Sequence, residues 1–79
     1  MMNIDQIVCR GAVGTFSVEM EERLTQKRGE GAKEWWTASE EHLNMLLRKS
    51  LQKGDPVNVA NYCMMIHALG FKITPVEGK

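Results

Sequence analysis

Between Lys53 and Val57 the chain reads Gly54-Asp55-Pro56, and those three residues constrain everything around them. Glycine just past a helical run is the usual left-handed C-cap. Aspartate is a strong N-cap, and proline is favoured at the first helical position, where its missing N–H is not needed. One helix therefore ends at Gly54 and the next starts at Pro56. With almost no linker between them, the two must be neighbours in space.

The helix before this junction opens on Thr37-Ala38-Ser39-Glu40, a capping-box pattern, and carries Leu43, Leu46, Leu47 and Leu51 at spacings of three and four. The helix after it, over residues 56–69, is apolar on two sides. Val57, Ala60, Met64 and Ala68 form one stripe, and Val59, Tyr62, Cys63, Ile66 and Leu69 form another. A helix of that kind must be covered on two sides. The expectation is that one stripe packs on the preceding helix and the other on a second copy or a partner protein. Gly70 ends the helix, and Phe71-Lys72-Ile73 alternates like a short strand or a tail before Pro75.

Upstream, Phe16, Met20 and Leu24 lie at i, i+4 and i+8, which predicts an amphipathic helix from Thr15 or Ser17 to about Arg28. Glu19, Glu21 and Glu22 stand near its start and Lys27 and Arg28 near its end, as the helix dipole favours, and Gly29 and Gly31 stop it. Residues 1–14 carry Ile4, Ile7 and Val8 behind a possible cap at Asn3 and then meet Gly11 and Gly14. A helical turn or an extended arm fits them equally. The fold class expected is all-α, a small three-helix bundle. Residues 1–14 form an N-terminal arm, 15–70 the helical core and 71–79 a tail.

A chain of 79 residues buries only roughly 60% of the surface it exposes when unfolded, so a dimer or another partner is expected to complete it. Ten acidic and ten basic residues are interspersed without a long run of either sign. That argues against a polybasic nucleic-acid grip and against an acidic DNA mimic. The longest apolar stretch, around residues 62–69, is far short of a membrane span. Nothing resembling a secretory signal precedes Cys9, and its spacing to Cys63 matches no disulfide framework. Two reduced thiols in a cytoplasmic protein are expected.

The succession Phe16-x3-Met20-x3-Leu24, Gly31, Trp35 or Trp36, Leu43-x2-Leu46-Leu47 and 58-NVANYCMMI-66 resembles phage-borne MazG-like nucleotide pyrophosphohydrolases. The likeness runs over residues 16–69, and its specific part is residues 57–66, in the C-terminal half. It implies an all-α oligomer that hydrolyses nucleoside triphosphates to the monophosphate and pyrophosphate. In that family a Glu-x-x-Glu on one helix and a Glu-x-x-Asp on the next converge on magnesium, since a hard cation needs several carboxylate oxygens. This sequence departs at those positions. The first pair falls within Leu47-Arg48-Lys49-Ser50-Leu51, and the second on Asp55-x-x-Asn58. The resemblance therefore implies a degenerate relative that keeps the scaffold without the metal chemistry.

Other constellations are weaker. Glu19-x-x-Glu22 puts two carboxylates on one helix face and, with Asp55, sketches a minimal magnesium site, though glutamates at a helix start serve the dipole equally well. Cys63 and His67 have the spacing of half a zinc site, and Cys9 and His42 are the remaining thiol and imidazole. No phosphate loop is present, because Gly11-x-x-Gly14 lacks the following Lys-Ser/Thr. No catalytic residue, metal ligand or cofactor is assigned.

The adjacent tryptophans Trp35 and Trp36 either anchor an interface or staple the second helix to the third. Asn61, inside the most apolar helix, either fixes register across a dimer or faces solvent. The function expected is that of a non-catalytic protein-binding module, from a phage or other mobile element, inhibiting a host protein such as a nuclease or a CRISPR defence complex. Its interface is placed on Trp35, Trp36, Val59, Tyr62, Cys63, Ile66 and Leu69. The alternatives are a minimal magnesium-dependent pyrophosphohydrolase using Glu19, Glu22 and Asp55, and a small DNA-binding regulator. The second is disfavoured because the third helix offers a DNA groove almost no Arg, Lys or Gln.

Overall fold

The computed structural model describes residues 1–32 and 34–75. Three α-helices, α1 (Ile4–Gly29), α2 (Glu40–Lys53) and α3 (Pro56–Ala68), are joined by a single 3₁₀ turn at Trp35–Thr37 and by the Gly54-Asp55 junction. The described residues contain no strand. At the junction Gly54 has φ 74° and Asp55 caps α3, its Oδ1 accepting from the N–H groups of Val57 and Asn58.

The first helix departs from the expected arm. Asn3 is its cap: the Asn3 side chain accepts from the Gln6 amide, and the Gln6 side chain accepts from the Asn3 amide. From there the helix runs unbroken through Gly11 and Gly14. A glycine inside a helix costs only about 0.5–1 kcal/mol, and no proline interrupts the run. Thr15 and Ser17 are thus interior positions, and the Ser17 hydroxyl donates back to the Gly14 carbonyl. The helix ends at Gly29, and beyond it Gly31 turns the chain with φ 92°.

The start of α2 also lies two residues later than the capping box predicts. Thr37 belongs to the 3₁₀ turn, where its hydroxyl donates to the Glu34 carbonyl, and Ser39 is the cap that accepts from the His42 amide. Glu40 instead receives the Lys72 N–H, 2.8 Å away. Asn44, buried on α2, completes that attachment by donating to the Lys72 carbonyl and accepting from Thr74 N–H. Residues 71–74 are therefore an extended strap tied to α2 by side chains rather than a strand.

The core is small. Leu43 and Leu47 of α2 meet Met65 and Ile66 of α3, and Leu24, Trp35, Val59, Tyr62, Cys63, Leu69 and Phe71 pack around them, partly buried. The stripe of Val57, Ala60, Met64 and Ala68 stays partly exposed, while α3 finds two neighbours within the chain. It packs against α2 on one side and against the C-terminal half of α1 on the other. Asn61 sits in that second contact, buried, and donates to the Met20 carbonyl. The N-terminal half of α1 projects beyond the core, leaving Ile4, Ile7, Val8, Val13 and Phe16 exposed. No helix of the described residues is long and apolar enough to cross a membrane.

Candidate functional site

Two places on the molecule bear on function, and the first is the junction where the MazG-like pattern puts its second acidic pair. Arg23, on the face of α1 that covers α3, reaches both residues there. Its Nη1 donates to Asp55 Oδ2 at 2.6 Å and to Asn58 Oδ1 at 3.0 Å. The guanidinium hydrogen bond holds the Asp55 carboxyl below its ordinary pKa. Partial burial opposes this, while the backbone donors of Asn58 and Val57 reinforce it. One guanidinium thus binds both side chains. Arg48 and Lys49, at the first pair's positions, are exposed on α2, as are Glu19 and Glu22 on α1. Among the described residues no three His, Cys, Asp or Glu side chains gather in a metal-binding group. That includes Cys9, His42, Cys63 and His67.

The second place is a groove of ≈ 470 Å³ between the end of α1, the 3₁₀ turn and α2. Local sequence builds it. Gly31 reverses the chain after α1, and Ala32 N–H bonds back to the Lys27 carbonyl at 2.9 Å, so that residues 34–36 return across the helix end. Leu24, Leu43, Leu46 and Met65 line its apolar floor, with Tyr62, Trp35 and Trp36 as aromatic walls. The two indoles meet edge to face, centroids 5.7 Å apart at 83°. Trp35 leans on the core, whereas Trp36 remains 49% exposed. Lys27 and Arg28 stand at the rim over aromatic faces, Lys27 Nζ 5.9 Å from the Tyr62 ring and Arg28 Cζ 5.5 Å from the Trp36 ring. Neither makes an ion pair among the described residues, where Arg23–Asp55 is the one such pair. Glu34 and His42 complete the lining.

Of the residues expected at an interface, the groove brings together Trp35, Trp36 and Tyr62. Of the two tryptophans one faces the core and the other solvent. Val59, Cys63 and Leu69 are partly buried against the core, away from the groove lining. Ile66 is only 2% exposed within the single chain, so it is a core residue and not an interface residue. It packs with Leu43 and Leu47 of α2 and with Met65, so α2 covers it.

Leu24, Lys27, Arg28 and His42 were not foreseen in the site. Their signal lay in the i, i+3, i+4 spacing of the first three just ahead of Gly31 and the tryptophans. The Arg23 contact had no signal in sequence, since it joins positions 32 and 35 residues apart. The chain matches no family model, no curated protein and no solved structure.

Proposed function

We propose that this chain is a non-catalytic protein-binding module that receives an apolar side chain of its partner in the groove beside Trp36. The observation that carries the reading is a half-exposed tryptophan flanking an apolar floor. Interface energy concentrates at such aromatic anchors and pockets. The Arg23 contact supports the non-catalytic part, because the oxygens of Asp55 and Asn58 are already bound by a guanidinium. In its narrower form the proposal makes the protein a cytoplasmic inhibitor of a host nuclease or CRISPR defence complex, encoded by a phage or mobile element. The MazG-like residues 57–66 support that form. Capture from a bacterial lysate tests the reading. A partner is expected on the wild-type protein and lost with Trp36→Ala, whose far-UV spectrum should be unchanged. Equal capture by both would remove the groove from the interaction.

A second reading, a homodimer, is favoured by a different observation from the one first expected to carry it. Ile4, Ile7 and Val8 lie on one face of α1 and are more than half exposed. A second copy covering that face would stabilise a helix segment that holds two glycines and little else to support it. Sedimentation at micromolar concentration should then give a dimer that Ile7→Glu converts to folded monomer. A wild-type monomer would exclude it.

A further inference from the structure

The charge and chemistry of the groove specify its partner further, on the premise that the groove is the binding site. Its floor is aliphatic: Leu24, Leu43, Leu46 and Met65 present no donor or acceptor. A ligand with polar edges, such as a nucleobase, would lose water against that floor and find donors or acceptors only among Glu34, Thr37, His42, Tyr62 and the indoles around it. A wholly apolar side chain loses nothing. The rim is different. Lys27 and Arg28 extend along the aromatic walls with their charges at the mouth, and neither is paired with a carboxylate among the described residues. Glu34 in the same lining makes no ion pair with either, so the described residues of the lining carry one more cation than anion.

We infer that the groove binds an acidic peptide segment of the partner protein, an aromatic or leucine side chain entering the floor while flanking Asp or Glu carboxylates meet Lys27 and Arg28. Cations held against aromatic faces lose little further freedom when they pair, and their hydrogen bonds to a carboxylate are charge-assisted on both sides. The apolar anchor supplies affinity and the carboxylates discriminate between partners.

The test uses the full chain and labelled peptides on one Gly/Ser frame: Phe flanked by Glu, Phe flanked by Lys, and Ala flanked by Glu. Anisotropy is read at low and high NaCl, with a nucleoside triphosphate as competitor. The Glu-flanked Phe peptide should bind about tenfold or more tighter than either of the other two, a difference of ~1.4 kcal/mol. Its binding should weaken as salt rises and should resist the nucleotide. In the double variant Lys27→Glu/Arg28→Glu the preference should pass to the Lys-flanked peptide. If that variant fails to fold, the peptide and salt comparisons on the wild type still decide. Equal binding of Glu- and Lys-flanked peptides, displacement by the nucleotide, or no binding of any peptide would overturn the inference. Should Trp36→Ala nevertheless abolish lysate capture, the protein-binding reading stands and only the acidic partner is lost.

Discussion

Arg23 joins α1 to the start of α3 through two oxygens, and its effect on Asp55 sets a pH dependence. With the folded-state pKa of Asp55 held below the ordinary carboxylate value, this group's stabilisation is present in full above about pH 3.9 and is lost as pH falls through the folded value. Asp55→Asn should therefore be less stable than the wild type at neutral pH. The gap should close in acid, where both proteins carry a neutral group. Urea midpoints at about pH 7, pH 4 and pH 2.5 measure it. A gap independent of pH would mean that the guanidinium is not bound to the carboxylate. Other polar residues of this kind were invisible in the sequence. Asn44 looks like any polar residue on a helix, yet it is buried and makes three hydrogen bonds, to Glu40, Lys72 and Thr74. Asn61 was recognised as unusual within an apolar helix, but its partner is the Met20 carbonyl of its own chain, a contact set by tertiary packing.

The elements were legible where one residue type has one job. Gly54, Asp55 and Pro56 mark a junction that the structure reproduces, because left-handed φ, side-chain capping and a missing N–H each belong to a single position. Legibility failed where two residues competed for one job. Thr37 and Ser39 both have hydroxyls ahead of α2, and the 3₁₀ turn decides between them by directing Thr37 backwards. Ser39→Ala should cost about 1 kcal/mol and Thr37→Ala about half that or less, read from urea denaturation. The reverse order would put the cap at Thr37. The glycines of α1 misled for a related reason: Gly11 and Gly14 weaken a helix without ending it, and the capping box at Asn3 starts the helix upstream of both.

At the scale of the molecule, α3 is the centre and the two other helices cover it, leaving a thin core of four buried apolar side chains among the described residues. The apolar pattern of α3 demanded two covers. In the structure α2 takes the face around Ile66, α1 takes the face around Asn61, and the stripe of Val57, Ala60, Met64 and Ala68 stays partly exposed. That arrangement depends on how α1 is placed rather than on the pattern of α3. The exposed large apolar side chains include Ile4, Ile7, Val8 and Val13 on the outer half of α1 and Trp36 at the groove beside its other end. The central claim is that the groove is where a partner binds, and site-specific photocrosslinking tests it most directly. A benzophenone amino acid replaces Thr37, an exposed residue of the groove lining, in one protein and Arg48, exposed on α2 outside that lining, in another. After irradiation with the captured partner, the account expects a covalent adduct from position 37 and none from position 48. An adduct from position 48 with none from position 37 would contradict it.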